Sequence, residues 1–374
     1  MTAPRLAVIG GGLIGSAAAK YLAEAGQDVT LIGPAEPADK SNHQGVFGSH
    51  YDEGRITRAI DPSPFWSDVT RAAISRYHDI EARSGISFFG EVGALVSGPS
   101  DHPDIASIHT QLETEDIPCE VLEMPALADR VPMFQFPQNT TGFYEPRGAG
   151  HISPRRLVKA QHILAEAAGA KLINAEVTQL TTGDTTKITA TGTNWTFDHV
   201  LLATGGFAQH LSPVEIPLTT YARTIAFFEV TQEEARRLSN QPSLIYRFED
   251  GRDPYLLPPI RYADGKSYLK IGGDPVDIPL SSQSDINEWF RSGGSPDVAR
   301  VLTEMVMELM PDLQISAVTH GSCVTSFTPD DRPLDLQPSA ALSICAGACG
   351  KGAKCSDELG RRAAKRVLAR FGAA

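Results

Sequence analysis

A run of closely spaced glycines near the start of this chain constrains its fold more than any other feature. Residues 10–15 read Gly-Gly-Gly-Leu-Ile-Gly, which is a G-x-G-x-x-G pattern. An apolar run over 5–10 leads into it, helical spacing over 14–25 follows it, and a second apolar run covers 27–32. Strand, glycine turn, helix and strand in this order predict the βαβ unit that binds dinucleotides.

Each position of this turn has a physical role in such a site. Gly10 permits the tight turn, Gly12 lets the backbone approach a pyrophosphate, and Gly15 allows the helix to pack close to the strand. Leu13 and Ile14 open the helix, whose free N–H groups and positive potential favour phosphate. The sequence therefore predicts that these residues bind a dinucleotide.

The second predicted strand lacks the acidic residue that usually holds the adenosine ribose. Residues 29–32 read Val-Thr-Leu-Ile, and Gly33 follows them. Glu36 and Asp39 are candidate substitutes, and each is equally well explained as a solvated loop acid.

The order of the remaining signals predicts two interleaved domains. The 374-residue chain is long enough for two lobes. Nucleotide-type signals lie at its start, middle and end, whereas strand patterns between them indicate a second sheet. We therefore expect an α/β protein with a Rossmann-like nucleotide-binding domain and an inserted α+β substrate domain on an antiparallel or mixed sheet. The expected segments are 1–85, 146–216 and 318–374 for the first domain, and 86–145 and 217–317 for the second.

Local patterns place several elements within this scheme. Strands of the second sheet are predicted over 217–229, 243–248 and 267–272. One helix is predicted over 62–84. Another is expected over 152–168, starting behind Ser153 as N-cap and a first-turn proline.

Composition excludes several kinds of partner. The formal net charge of −12 argues against nucleic acid and anionic membrane surfaces, which both reward basic patches. Five cysteines are an odd number spread along a long chain, which favours a reduced compartment over a disulfide framework. Glycines interrupt the apolar N-terminus, which does not fit a signal peptide, and no later stretch reaches the roughly 20 apolar residues of a membrane span. We expect a cytoplasmic protein.

Three further segments carry a family resemblance. Residues 48–58 read Gly-Ser-His-Tyr-Asp-Glu-Gly-Arg-Ile-Thr-Arg, residues 323–330 read Cys-Val-Thr-Ser-Phe-Thr-Pro-Asp, and residues 347–354 read Gly-Ala-Cys-Gly-Lys-Gly-Ala-Lys. In this order they resemble motifs of the monomeric sarcosine oxidase and N-methyltryptophan oxidase family, within the D-amino-acid-oxidase-like flavoprotein superfamily. The resemblance covers essentially the whole chain, with a looser match in the middle lobe. It implies that the dinucleotide is FAD and that the protein is a monomer.

The resemblance assigns an anchoring role to two cations. Arg58 and Lys354 match the positions that clamp the substrate carboxylate over the flavin, and a guanidinium fork with an ammonium suits that task. The alternative is an ion pair of Arg58 with Glu53 or Asp61 on the surface. Arg55 is placed against the flavin or in a structural salt bridge, and a helical turn would put it on the same side as Arg58.

Two further residues match positions with chemical roles. Lys270 matches the lysine that activates oxygen, because a cation stabilises the anion formed when oxygen is reduced. Its alternative is an edge-strand lysine that faces water. Cys323 matches the cysteine that bonds covalently to the flavin in monomeric sarcosine oxidase, and Cys349 and Cys355 are second choices better explained by packing.

The remaining site residues include two departures from the family. Asp274 and Lys351 stand where relatives carry pocket histidines, whereas Tyr255 resembles the active-site tyrosine. Asp274 could bind a cationic substrate group or accept the amine's proton, or it could merely form an Asp-Pro turn. No metal ligands are assigned. The resemblance also puts these residues in contact with FAD: Ser49, His50, Arg55, Val177, Gly205, Cys323, Gly350, Gly352 and Lys354.

The function that follows is oxidation of a secondary amine or amino acid. The partners expected are that small molecule and oxygen, with an imine that hydrolyses and hydrogen peroxide as products. Three alternatives remain: a dehydrogenase that passes electrons to a quinone or a protein, a flavin-binding subunit without turnover, and a nicotinamide dehydrogenase.

Overall fold

The structure, a computed structural model, describes residues 4–190 and 192–372. Within these residues the helices in chain order are α1 (Leu13–Glu24), α2 (Pro64–Ile74), α3 (Tyr77–Ser84), α4 (Pro103–Thr114), α5 (Ala126–Arg130), α6 (Pro154–Ala167), α7 (Ala208–Leu211), α8 (Gln232–Arg237), α9 (Gln283–Ser292), α10 (Pro296–Leu309) and α11 (Gly352–Arg370). The strands are β1 (Arg5–Ile9), β2 (Asp28–Ile32), β3 (Arg55–Thr57), β4 (Phe89–Gly90), β5 (Ala94–Pro99), β6 (Glu120–Glu123), β7 (Thr140–Glu145), β8 (Gly150–Ile152), β9 (Lys171–Ile173), β10 (Val177–Thr182), β11 (Thr186–Ala190), β12 (Thr193–Phe197), β13 (His199–Leu202), β14 (Thr219–Val230), β15 (Ser243–Tyr246), β16 (Tyr255–Arg261), β17 (Ser267–Gly272), β18 (Ile278–Pro279), β19 (Ala317–Phe327), β20 (Leu334–Ser339) and β21 (Leu342–Ala346).

The first sheet contains the predicted βαβ unit. Its strand order is β20-β21-β13-β1-β2-β9, and all neighbours are parallel except β20, which is antiparallel to β21. One apolar face packs on α1, α6 and α11, and the other packs on the antiparallel sheet β10-β11-β12. Burial on both faces explains why the strands read as continuous apolar runs. The predicted strand, turn, helix and strand are confirmed.

The second sheet is mixed and forms a separate core. Its order is β18-β14-β17-β16-β15-β5-β7-β6. Strand β19 lies outside this order and pairs over all of its residues with β14. Among the described strands of this sheet, only β5 and β15 run parallel to each other. Helix α10 covers one face and α4 lies on the other. The predicted strands over 217–229, 243–248 and 267–272 correspond to β14, β15 and β17.

Taken together, the two sheets confirm the predicted α/β class with a Rossmann-like part. The division into domains remains a prediction. The expected boundary at 318 falls at the start of β19, which belongs to the second sheet. Among the residues that the structure describes, no helix is both long enough and apolar enough to cross a membrane.

Two local predictions differ from the structure, and one is confirmed. The helix predicted over 62–84 is divided at Ser75 and Arg76, where the Arg76 guanidinium turns to bind Asp357 at 2.6 Å. This tertiary ion pair has no signature in helical spacing. Arg55 begins strand β3 in the small sheet β3-β8-β4, so the helical turn expected to align it with Arg58 is wrong. Helix α6 begins as predicted, with Ser153 as its N-cap.

Candidate active site

A long cavity runs from the glycine turn of β1 to the start of α11. It is lined by residues 9–14, 32–34, 46–51, 175–178, 203–207 and 323–326, together with Arg55, Ala348, Gly350, Gly352 and Ala353. The predicted FAD contacts Ser49, His50, Val177 and Gly205 are among them. The cavity therefore collects segments from the beginning, middle and end of the chain.

The glycine turn provides a cradle that fits a pyrophosphate. Gly10 has φ +111°, and a Cβ there would lie 2.3 Å from Ala203 O. A Cβ on Gly15 would lie 2.0 Å from Gly10 O, so only glycine permits this approach. Helix α1 begins at Leu13 without a side-chain cap on Gly12, which leaves its first-turn N–H groups free for an anion. The donor set fits FAD.

The end of the second strand is closed to a ribose-binding acid. A Cβ on Gly33 would lie 2.4 Å from Gly11 N, so the two backbones touch here. Glu36 instead binds Arg155 at 2.7 and 2.8 Å. Asp39 accepts hydrogen bonds from Ser41 in its own loop. Neither of the two candidate acids lines the cavity.

His50 contributes a neutral imidazole to the cavity wall. Its ring lies over the glycine turn, since a Cβ on Gly12 would lie 3.6 Å from His50 Nδ1. Burial lowers the pKa of His50 to about 3. The ring therefore stays uncharged at neutral pH and can donate or accept a hydrogen bond.

Arg55 and Cys323 meet at the far end of the cavity. Arg55 Nη2 lies 3.4 Å from Cys323 Sγ, although the residues are 268 positions apart in sequence. Both line the cavity, and Cys323 is 7% exposed. Arg55 also forms an ion pair with Asp52, so the structural salt bridge is present, and its contact with the flavin stays a prediction. Cys349 and Cys355 are buried, and Cys355 contacts the Thr70 hydroxyl at 3.0 Å.

Lys270 is buried in the centre of the mixed sheet. It pairs with Phe227 on β14 and with Leu257 on β16, so it is not on an edge strand. Its ammonium binds the Asp52 carboxylate and, at 2.6 Å, Gly54 O. Burial lowers the pKa of Lys270 well below its usual value, and the Arg55 charge lowers it further. The Asp52 contact opposes this and favours the charged form.

Tyr255 lies near this lysine, and Asp274 lies near Tyr255. The Lys270 ammonium is 5.6 Å from the centre of the Tyr255 ring, and burial raises the Tyr255 pKa to about 12, so the phenol remains a donor. Asp274 accepts the Thr224 backbone N–H with both oxygens, at 3.0 and 2.8 Å. Burial raises its pKa to about 6. The residue thus shapes the turn, and its carboxyl titrates near neutrality.

The expected substrate anchor is assembled around a carboxylate of the protein. Arg58 Nη1 lies 3.1 Å and Lys354 Nζ lies 2.9 Å from Asp61 Oδ2, and all three side chains are buried. The pairing of Arg58 with Asp61 is therefore internal rather than on the surface. The other candidate partner, Glu53, binds Arg155 instead.

Lys351 binds a different carboxylate from the one that Arg58 and Lys354 share. Its ammonium binds the half-exposed carboxylate of Asp331 at 2.9 Å. The same ammonium lies 5.2 Å from the centre of the Trp66 ring. These contacts give Lys351 a structural explanation.

Sequence reasoning missed the role of Asp52, and it considered Asp61 only as a surface partner of Arg58. Asp52 binds Arg55 and Lys270, which the sequence analysis had treated separately, and Asp61 binds both Arg58 and Lys354. A signal was present, because Asp52 stands three residues before Arg55 and Asp61 stands three residues after Arg58. The lysine partners lie 218 and 293 positions away, which no local pattern reveals.

Comparisons with known proteins identify a family for this chain. The family model described as DAO, FAD dependent oxidoreductase, matches residues 5–366. Monomeric sarcosine oxidase of Bacillus sp. (strain NS-129) is 27% identical over 96% of this chain and 91% of its own length. N-methyl-L-tryptophan oxidase of Yersinia pestis (strain Pestoides F) is 26% identical over 60% of this chain and 59% of its own. The solved structure of NikD, an unusual amino acid oxidase essential for nikkomycin biosynthesis, superimposes with a TM-score of 0.76 at 20% identity, covering 99% of this chain and 97% of NikD.

Proposed function

The chain belongs to the DAO family of FAD-dependent oxidoreductases, and from that premise we propose that it oxidises a secondary amine or an amino acid beside the flavin. Like its relatives, it is an FAD-dependent oxidoreductase that acts on a CH–NH donor. The cavity from the glycine turn to Cys323 carries this proposal, because Arg55 at its far end shares the Asp52 carboxylate with Lys270, which lies beside Tyr255.

Residues at the two ends of the cavity have separate tasks in this proposal. The N-terminus of α1 binds the pyrophosphate, and the neutral His50 packs over the turn. At the other end Arg55 and Cys323 flank the position of the flavin ring. We propose that Cys323 holds the flavin covalently and that the enzyme acts as a monomer.

The substrate lies between the flavin and the mixed sheet in this proposal. When bound, FAD supplies an acceptor for the hydride equivalent that leaves the carbon next to the amine nitrogen. Only a neutral amine can release it, so a base must take the ammonium proton. Asp274, with a pKa of about 6, is suited to that task, and Tyr255 donates a hydrogen bond that orients the substrate. Arg58 and Lys354 lie at the polar end of the substrate. The imine product hydrolyses in water.

The proposed electron acceptor is oxygen, with hydrogen peroxide as product. Lys270 supports this assignment, since a buried cation stabilises the anion that forms when oxygen gains an electron. One observation favours a second candidate, a dehydrogenase with a quinone or protein acceptor. The Asp52 carboxylate binds Lys270 directly and offsets part of its charge.

An anaerobic reduction assay tests the proposed function. Purified protein with FAD is mixed without oxygen with N-methyl, cyclic and D-amino acids and their amine analogues, and flavin absorbance is followed. Bleaching by at least one amine is expected. Admitting air then separates the acceptors: rapid return of absorbance with peroxide indicates an oxidase, and slow return that a quinone accelerates indicates a dehydrogenase. A flavin that no compound in the panel bleaches would refute the amine chemistry.

A further inference from the structure

A buried carboxylate occupies the space between the two cations expected to anchor the substrate's acid end. Asp61 is 1% exposed, and its Oδ2 lies 3.1 Å from Arg58 Nη1 and 2.9 Å from Lys354 Nζ. Its Oδ1 accepts the Ser63 backbone N–H at 3.3 Å. The protein therefore supplies its own anion at this position.

Asp61 changes the charge that an incoming group meets. Arg58 and Lys354 alone carry two positive charges, and ionised Asp61 leaves one. Although burial alone would raise the pKa of Asp61, the charges of Lys354 and Arg58 outweigh it and hold the pKa well below its usual range. Asp61 is therefore an anion throughout the neutral pH range.

Lys351 adds a cation near the cluster, but its ammonium is already bound to Asp331 at 2.9 Å. Glu145 lies close by and accepts two backbone N–H groups at 2.9 and 3.0 Å. Burial raises the pKa of Glu145, and this carboxyl supplies no positive charge to the cluster. Two carboxylates that share one buried site disfavour each other's ionisation. A substrate carboxylate would therefore meet repulsion from Asp61 where the two cations are already engaged.

Arg58 keeps one donor for a different kind of group. Among the described residues its Nε finds no hydrogen-bond partner, although the side chain is 6% exposed and the atom is buried. A buried donor without a partner is unfavourable, and a single N–H can be satisfied by a neutral oxygen. An amide carbonyl is such an acceptor and brings no charge.

We propose that Asp61 makes this enzyme selective for secondary amines whose reacting carbon bears a neutral acceptor, such as an amide, over the corresponding amino acids. The proposal rests on the amine oxidation proposed above and specifies its substrate class. Asp61 acts as a specificity determinant, because it takes the two cations that a substrate carboxylate would need.

Matched substrate pairs test the selectivity. N-methylglycinamide is compared with N-methylglycine, and prolinamide with proline, by the rate of anaerobic flavin reduction. The wild type is expected to have at least tenfold higher kcat/KM for the amide of a pair. Asp61→Asn should shift the amide-to-acid ratio at least tenfold toward the acid. A wild-type preference for the acids, or a ratio that Asp61→Asn leaves unchanged, would overturn the proposal.

A binding measurement distinguishes this proposal from the proposed function. Acetate is titrated into the FAD-loaded protein, and the dissociation constant is read from the change in flavin absorbance without turnover. Asp61→Asn should bind acetate at least tenfold more tightly than the wild type. This arm remains decisive if no amine reduces the flavin, and equal affinities would refute the role of Asp61 even if amines are oxidised.

Two further variants control for structural effects. Asp68→Asn removes a carboxylate that is 63% exposed and pairs with Arg362, so it should change neither acetate affinity nor the amide-to-acid ratio. If Asp61→Asn does not fold, Lys354→Met tests the same point. It should change kcat/KM for both members of a pair by the same factor, whereas a selective loss for the acid would show that Lys354 binds the substrate carboxylate.

Discussion

Replacing Lys270 by methionine should separate the two halves of the catalytic cycle. Methionine retains much of the length and apolar character of the lysine stem, so the buried strand position can still be filled. The charge is lost together with the ammonium's contacts to Asp52 and Gly54 O. Because the cation acts on the anion formed from oxygen, reoxidation of the reduced flavin should slow, while reduction by the amine should change less than threefold.

The structure limits the size of this effect. Two unit charges about 4 Å apart interact by about 4 kcal/mol at an effective dielectric constant of about 20. The Asp52 carboxylate contacts the ammonium and offsets part of this attraction. If it offsets about half, the remaining 2 kcal/mol or so corresponds to reoxidation about 30-fold slower. Asp52 retains Arg55 and Tyr262 as partners in the variant. The free energy of unfolding should therefore fall by less than about 3 kcal/mol.

Stopped-flow absorbance measures both half-reactions in the same preparation. Reduction is followed after anaerobic mixing with amine, and reoxidation after mixing the reduced enzyme with oxygenated buffer. Lys266→Met is the matched control, because Lys266 directly precedes β17, is 53% exposed and pairs with Glu229. Equal slowing of both half-reactions by Lys270→Met would refute the oxygen role and indicate that Lys270 acts on the substrate or on folding.

Three further predictions follow from the site and its supports. Acid precipitation should leave the yellow flavin in the protein pellet, and Cys323→Ser should release it to the supernatant; a colourless wild-type pellet would refute covalent attachment. If Asp274 takes the amine proton, its base form is active, so kcat/KM should rise with pH through about 6, and Asp274→Asn should lack that rise; an unchanged profile with a lower melting temperature would assign the residue to the turn. Asp357→Asn should lower the free energy of unfolding by about 3 kcal/mol or more, because it leaves the buried Lys20 without the carboxylate 3.0 Å away. Adding Lys20→Met should recover part of that loss in urea unfolding, and full additivity of the two losses would contradict the pairing.

The nucleotide site was predictable because it is local. The turn at Gly10 and Gly15 depends on backbone conformation and close approach over a few consecutive residues. Only glycine meets those requirements, so the sequence shows them directly. Strands β1 and β2 were also predictable, because a strand buried on both faces must be apolar throughout. Gly33 illustrates the limit: the missing acid was evident, but the contact of Gly33 with Gly11 that forbids a side chain there appeared only in the folded chain.

The sequence by itself determined the βαβ unit, the order of the motifs and the identity of the candidate cations. Only the tertiary structure decided how those cations are paired. Lys270 reaches Asp52 across 218 positions, and Lys354 reaches Asp61 across 293. The energy of a charge depends on which opposite charge lies within a few ångströms and on how much water both have lost. Those distances and that burial arise when the chain around β3 meets β17 on one side and α11 on the other, so no local pattern contains them.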